Sequence, residues 1–194
     1  MISHRYKCIF VHNPKAAGQS ITKAFDGGDH PHEKMPEGTA VYQASTEVWL
    51  KTIAKHPNYF SFAVVRNPWD RFVSGCKFCN STKDRPLEDI LCNLPMPYTN
   101  STGTNIDHDW FHITMTQHEF LYRDGKLIVD YLIRFENLQE GFDVVCDRIG
   151  KPRMKLPHEN ATDHYHYEKY FTPEALEMFN NHFQMDIRTF GYEF

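Results

Sequence analysis

An almost unbroken apolar run, Tyr59-Phe-Ser-Phe-Ala-Val-Val65, constrains the fold of this chain more than any other segment. A strand that is apolar along its whole length must be covered on both faces. Such strands lie in the centre of parallel sheets, where helices cover both sides. The run therefore predicts an α/β fold with a buried central strand.

Strand and helix patterns alternate along the rest of the chain. Strands are also predicted at residues 7–12 and 127–135, and helices at residues 20–25, 46–55, 69–78, 138–149 and 173–183. Residues 117–122 fit either a helix or a strand, and residues 26–39, 80–107 and 151–168 are predicted to be largely irregular. The alternation predicts a single domain over residues 1–194, with a P-loop-like central parallel sheet flanked by helices.

Charge narrows the classes of ligand. The 194 residues carry a net charge of −4, which argues against a general nucleic-acid binder, because neutralising phosphates needs a surplus of Lys and Arg. Residues 1–75, however, contain nine Lys and Arg against six Asp and Glu, a net charge of +3. This asymmetry favours a small anionic ligand held by the first part of the chain.

The location of the protein is predicted from what the sequence lacks. No apolar run is long enough for a signal peptide or a membrane span. The five cysteines are an odd number and do not form a disulfide framework, and Cys76-x-x-Cys79 has no second such pair to complete a zinc site. We expect a cytoplasmic protein; the Golgi lumen would apply only if the sequence were a truncated form of a longer one.

The first segment with clear chemistry is Phe10-Val-His-Asn-Pro-Lys-Ala-Ala-Gly-Gln-Ser20. A strand, a tight loop and a helix start follow one another, which directs backbone N–H groups and the positive helix end to one place. Lys15 adds a point charge and Ser20 a hydroxyl. The segment is not a Walker A motif, because no Ser or Thr follows a Lys and the Lys precedes the Gly.

The second segment is Arg66-Asn-Pro-Trp-Asp-Arg-Phe-Val-Ser74, directly after the central strand. Arg66 could bind a phosphate as a fork, and Ser74, one to two turns into the next helix, could add a hydrogen bond. For Arg71, a structural or surface ion pair is the expected role.

Together the two segments resemble the nucleotide-binding elements of sulfotransferases that use 3′-phosphoadenosine 5′-phosphosulfate (PAPS). Pro14-Lys15-x-x-Gly18-x-Ser20 is similar to the family's 5′-phosphosulfate loop, and Arg66 to Ser74 is similar to its 3′-phosphate element. Ile133-Arg-Phe-Glu-Asn-Leu138 and the closing Asp186 and Phe190-Gly-Tyr-Glu-Phe194 extend the resemblance. The nearest type is the carbohydrate sulfotransferases of the Golgi and their small bacterial relatives.

The resemblance implies a function and a set of site residues. The enzyme would move a sulfuryl group from PAPS to a hydroxyl of a carbohydrate or small glycan-like acceptor, without a required metal and without a nucleic-acid or membrane partner. Lys15 would be catalytic, stabilising the leaving phosphate. The cofactor would be bound by Lys15, Ala16, Ala17, Gly18, Gln19, Ser20, Arg66 and Ser74.

The chain also departs from the family pattern. Ala16, Ala17 and Gln19 stand where Thr or Gly is usual, and Gln43 stands where many relatives have a histidine that serves as the acceptor base. His112 is the substitute base we favour over His30, His32 and His108, whereas His12 is expected to order the phosphate loop. Tyr165, Tyr167 and Lys169 could line the nucleotide end, although packing is the expected role of the tyrosines.

Two alternatives stay open at the level of sequence. A non-catalytic module that binds PAP, the desulfated product, or PAPS would explain Gln43 and the altered loop. A P-loop kinase is disfavoured by the missing Mg²⁺-binding Ser or Thr.

Overall fold

A computed structural model of the protein describes residues 1–25, 46–94, 112–157 and 165–194. The strands are β1 (Ile2–Ser3), β2 (Cys8–Val11), β3 (Phe60–Val65), β4 (Tyr122–Arg123), β5 (Lys126–Leu127) and β6 (Tyr131–Arg134). The helices are α1 (Gly18–Phe25), α2 (Thr46–Lys55), α3 (Pro68–Phe78), α4 (Leu87–Cys92), α5 (Gln117–Leu121), α6 (Leu138–Ile149), α7 (Pro173–His182) and α8 (Gln184–Phe190). Short 3-10 turns occupy Phe135–Asn137 and Tyr167–Tyr170.

The main sheet has the strand order β1-β2-β3-β6. Strand β3 pairs in parallel with β2 on one side and with β6 on the other, and all but the first of its residues are buried. The central parallel strand predicted from the apolar run is therefore confirmed. Strand β1 joins the edge in the antiparallel direction, with Ile2 opposite Ile9.

The described residues fall into two compact units. The first contains residues 1–66 and 119–161, and the second contains residues 67–118 and 162–194. The first unit holds the main sheet, and helix α6 packs against β3 and β6. The prediction of a single domain over residues 1–194 stays a prediction, whereas the α/β class and the parallel sheet flanked by helices are confirmed.

The core of the first unit explains why the strands take their places. The rings of Phe10 and Phe62 pack at a tilt across the β2–β3 pair with centroids 5.2 Å apart, and the ring of Phe142 in α6 contacts that of Phe25 in α1 with centroids 6.1 Å apart. Burying these aromatic side chains contributes about 1.5–3 kcal/mol for each, which offsets the entropy of ordering the strands.

The second unit has an aromatic core of its own. The rings of Phe72, Phe179 and Phe183 pack with centroids 4.4–5.6 Å apart, joining α3 to α7 and its end. Helix α7 begins as predicted, because the Thr172 side chain accepts a hydrogen bond from the Ala175 N–H.

Several boundaries were predicted wrongly. The apolar stretch 127–135 is not one strand: it divides into β5, which pairs with β4 in a separate two-stranded sheet, and β6, which lies in the main sheet. The sequence pattern also missed the edge strand β1 and the last helix, α8. Residues 117–122 resolve mainly as helix. The predicted loop 26–39 lies outside the described residues, and so do residues 95–107 of the segment predicted to be irregular over 80–107.

The structure bears on two features that the sequence argues against, a membrane span and a zinc site at Cys76 and Cys79. Within the described ranges, no helix combines the length and apolar content needed to cross a bilayer. Cys76 lies in α3 and Cys79 follows its end, and both side chains are buried and form no disulfide within the described residues. Neither belongs to a group of three or more potential metal ligands in the part of the chain that the structure describes.

Candidate functional site

The loop between β2 and α1 has an unusual backbone. Lys15 and Ala17 have φ angles of 61° and 58°, in the left-handed region that costs a non-glycine residue about 1–2 kcal/mol. Left-handed residues that alternate with others turn successive N–H groups toward one side of the chain, and such concave nests bind anions. The loop runs directly into the start of α1 at Gly18, where helix geometry leaves N–H groups without intrahelical acceptors.

The His12 ring packs between Phe10 and the backbone of this loop at Gly18. The ring stacks on Phe10, with centroids 5.7 Å apart, and occupies the space where residue 18 would carry a side chain. A Cβ at Gly18 would lie 1.6 Å from the His12 Nε2. Only glycine fits there, and the contact agrees with the loop-ordering role expected for His12.

Arg66 meets the same loop. It follows β3 directly, and its Nη1 donates a hydrogen bond to the Lys15 carbonyl at 3.0 Å. The guanidinium also lies 4.3 Å from the centre of the Phe135 ring, which holds it by a cation–π contact. The first unit therefore brings together two of the predicted cofactor residues, Lys15 and Arg66, whose positions in the sequence are 51 residues apart.

The remaining loop residues differ in exposure. Ala16, Gly18 and Ser20 are buried, Lys15 and Ala17 are half-buried, and Gln19 is exposed. Asn13, at the start of the loop, donates from its Nδ2 to the Val64 carbonyl at 2.9 Å and so ties the loop to β3. Sequence reasoning did not single out Asn13, because an asparagine in a loop carries no pattern that identifies its partner.

Ser74 belongs to the second unit. It lies in α3 and is 2% exposed. Helix α3 begins at Pro68 because the Asn67 side chain accepts a hydrogen bond from the Asp70 N–H at 3.1 Å and proline suits the first helical position. The helix therefore begins one residue before the predicted start at residue 69.

His112 is also in the second unit and is 8% exposed. Its ring contacts Phe78 with centroids 5.4 Å apart, and its carbonyl oxygen lies 3.0 Å from the position of a Cβ at Gly75. The other candidates for the acceptor base, His30, His32 and His108, lie outside the described residues, as does Gln43. The role of His112 as the base stays a prediction.

The aromatic residues near residue 167 divide between two roles. Tyr167 packs in parallel on Trp69 with centroids 6.5 Å apart, and its hydroxyl accepts a hydrogen bond from the Asn67 Nδ2 at 3.3 Å. Tyr165 is 71% exposed, and the Lys169 ammonium lies 4.8 Å from the centre of its ring. Packing accounts for Tyr167, whereas a place for Tyr165 and Lys169 at the nucleotide end stays a prediction.

Sequence reasoning did not predict that Arg71 and Asp186, two residues with ionisable side chains, are both buried in the second unit. Arg71 is 1% exposed and donates to the Met115 carbonyl, and Asp186 is fully buried. Burial raises the pKa of the Asp186 carboxyl, while the charge of Arg71 opposes that rise. Arg71 is therefore a buried structural residue, and the ion pair expected for it stays a prediction. No local pattern could have related it to Asp186, which lies 115 positions away.

Comparison with known proteins provides the family. Searches of curated proteins and of solved structures returned no match. A family model described as the sulfotransferase family matches residues 1–193. The chain, with its phosphate-type loop at Lys15 and the Arg66 contact beside it, therefore belongs to the sulfotransferase family.

Proposed function

We propose that this sulfotransferase takes its sulfuryl group from PAPS and transfers it to a hydroxyl of a carbohydrate or small glycan-like acceptor. The observation that carries the proposal is the hydrogen bond from Arg66 to the Lys15 carbonyl, which holds the Arg66 guanidinium against the strained loop that contains Lys15. PAPS has separate anionic groups on its 5′ and 3′ oxygens, and two adjacent cationic elements suit such a ligand.

The loop residues would act on the leaving group. As the bond between sulfur and the bridging oxygen breaks, negative charge develops on the 5′-phosphate of the departing PAP. The Lys15 ammonium stabilises that charge, and the backbone N–H groups of residues 16–20 with the Ser20 hydroxyl hold the phosphate. Arg66 binds the 3′-phosphate, and the role predicted for Ser74 at the same group stays a prediction.

The acceptor must lose a proton as its oxygen bonds to sulfur. His112 is the proposed general base and would accept that proton at a ring nitrogen. Replacing it by Gln keeps a polar side chain of similar size but removes the basic nitrogen. We expect PAP affinity to stay within about twofold and the transfer rate to fall about 10²–10⁴-fold.

Calorimetric titration with PAP tests the cofactor assignment. The wild-type protein should bind PAP, and Arg66→Met should weaken binding by about 2–5 kcal/mol if a buried charge pair is broken. Lys15→Met should weaken binding less and slow transfer more, because its charge acts mainly on the leaving group. Lys51→Met, on the exposed side of α2, is the matched control and should bind as the wild type does. A wild-type protein that fails to bind PAP would overturn the proposal.

Two further measurements separate the alternatives. PAP should bind in the presence of EDTA, and ATP with Mg²⁺ should not replace it; the reverse preference would indicate a kinase. If PAP binds tightly but radiolabelled PAPS sulfates nothing in a broad panel of carbohydrate hydroxyls, the non-catalytic module is the better description.

A further inference from the structure

Asp186 is placed to hold a stretch of backbone. Its Oδ2 accepts a hydrogen bond from the Gln117 N–H at 2.9 Å, and its Oδ1 accepts one from the His118 N–H at 2.7 Å. Both carboxylate oxygens thus fix two successive amides, from a side chain in the first turn of α8.

Arg71 holds the same stretch from α3. Its Nη2 donates to the Met115 carbonyl, and its charge opposes the rise that burial causes in the pKa of the Asp186 carboxyl. The backbone of residues 115–118 is therefore held at one carbonyl and two N–H groups by two side chains that are both buried.

The beginning of the same segment is held by α3. The absence of a side chain at Gly75 lets the His112 carbonyl approach the helix, and the next residue, Ile113, is fully buried. Residues 112–118 are thus fixed at both ends by neighbours within the second unit.

A gain in stability alone does not explain why Arg71 and Asp186 are buried in this unit. Removing charged groups from water costs free energy, and apolar residues of similar volume often give an equally stable or more stable core. A buried pair that fixes particular backbone atoms is better explained by placement of the segment that contains those atoms.

We propose that Arg71 and Asp186 are positioning residues, which fix residues 112–118 and through them the place of His112. The inference rests on the proposed function, in which His112 acts on the acceptor hydroxyl. Arg71 and Asp186 act through the backbone and through His112.

Two variants test this inference. Asp186→Asn preserves shape, but its amide NH₂ cannot accept a hydrogen bond, so one of the two backbone contacts is lost. The double variant Arg71→Met with Asp186→Leu removes both charges and keeps an apolar core, which guards against a single variant that does not fold. Arg85→Gln with Asp89→Asn is the matched control, since it removes an exposed Arg–Asp pair, 2.7 Å long, in the same unit.

The readout is NMR of the folded proteins with labelled histidine, with the His112 ring assigned through His112→Gln. We expect both variants to shift or broaden the His112 ring resonances. The exchange of the Gln117 and His118 amides should accelerate about tenfold or more, while amides of α1 keep their protection. The control pair should leave all of these signals in place.

The same proteins give a functional readout. The transfer rate to any acceptor that the wild type sulfates should fall about tenfold, with the KM for PAPS within about twofold. If the double variant folds with unchanged His112 resonances and an unchanged transfer rate, the pair serves stability only and the inference is wrong. The NMR measurement needs neither PAP nor an acceptor, so the inference and the proposed function can fail separately.

Discussion

At the scale of single residues, the loop between β2 and α1 depends on three small or constrained positions. Lys15 and Ala17 adopt left-handed backbone that non-glycine residues rarely take, and Gly18 leaves room for the His12 ring. Strain of this kind persists where the surrounding contacts over-determine it, and it is concentrated at functional sites. Here those contacts include the stacking of His12 on Phe10 and the hydrogen bond from Arg66 to the Lys15 carbonyl.

Gly18→Ala tests the close approach of His12. The added Cβ would lie 1.6 Å from the ring nitrogen, so the ring must move. We expect the free energy of unfolding, measured by urea denaturation, to fall by about 1–3 kcal/mol, the usual cost of overpacking. Adding His12→Ala should recover part of that loss, and the double-mutant cycle measures the coupling.

Gly125→Ala is the control for this cycle. Its φ is +71° but nothing lies within 4 Å of the added Cβ, so it reports backbone strain without a clash. If Gly18→Ala costs no more than Gly125→Ala, or if His12→Ala fails to relieve it, the described contact does not exist in solution.

Ala17→Gly should stabilise the protein. Glycine relieves about 1–2 kcal/mol of left-handed strain and loses about 0.5–1 kcal/mol through the greater freedom of the unfolded chain. Urea denaturation should therefore show a gain of roughly 0.5–1 kcal/mol. Ala16→Gly is the comparison, because Ala16 has no positive φ and is buried, and it should lose stability. Equal losses in both variants would contradict the strained loop.

At the scale of elements, helix α3 contains or contacts most of the residues of the second unit that concern the candidate site. Its first residues follow the Arg66 turn, its middle holds Arg71 and Ser74, and its last residue, Phe78, contacts the His112 ring. The position at which this helix starts therefore sets the register of every side chain on it. That start depends on Asn67, which caps the helix and also donates to the Tyr167 hydroxyl.

Asn67→Ala should remove the cap from α3. We expect a loss of about 1 kcal/mol in the free energy of unfolding, since an unpaired N–H is left at the helix start. Asn67→Asp keeps an oxygen acceptor for the Asp70 N–H and should retain most of the stability. Thr172→Ala, the corresponding change at the start of α7, should cost a similar amount. A cap that matters to the site, as well as to stability, would also weaken PAP binding in Asn67→Ala but not in Thr172→Ala.

At the scale of the whole molecule, burial separates the five cysteines. Cys92 is exposed, and Cys8, Cys76, Cys79 and Cys146 are buried. Burial raises the pKa of the Cys8 thiol from its ordinary value of 9.0 to about 12, and it also raises the pKa values of Cys76 and Cys146. The thiolate is the nucleophile, so we expect these buried thiols to react slowly in the folded protein.

Iodoacetamide at pH 8 should label the native protein once, at Cys92, and mass spectrometry gives the count and the site. Unfolding in urea should expose all five thiols. Cys92→Ser should leave the native protein unlabelled over the same time. Rapid native labelling of Cys76 or Cys79 would show that α3 opens at its end or that the described burial is wrong.

The raised thiol pKa also sets a dependence on pH. The folded state holds the Cys8 proton up to about pH 12, whereas the unfolded chain loses it near 9, so the stabilisation is complete below pH 9 and is lost as the pH rises. Within that window the free energy of unfolding should fall by up to about 1.4 kcal/mol per pH unit from this thiol. Cys8→Ala should show a shallower fall than the wild type, and Cys92→Ala should not. Equal slopes in all three proteins would contradict the raised pKa.

Sequence alone determined the parts of this protein that are local. The apolar run at residues 59–65 specified a buried parallel strand, and Thr46–Lys55 and Leu138–Ile149 were predicted to the residue because their apolar positions recur at helical spacing. The two motifs around Lys15 and Arg66 indicated the family that the comparison with family models shows. In each case the information lies within a few neighbouring residues.

Tertiary structure decided what depends on distant partners. Residues 127–135 divide between two sheets because β4 pairs with β5 while β3 pairs with β6, and a continuous apolar run does not show that division. Arg66 reaches the Lys15 carbonyl only because β2 and β3 are neighbours, and Asp186 finds the amides of Gln117 and His118 across 68 or more residues. Such contacts follow from chain topology and burial, which no local pattern encodes.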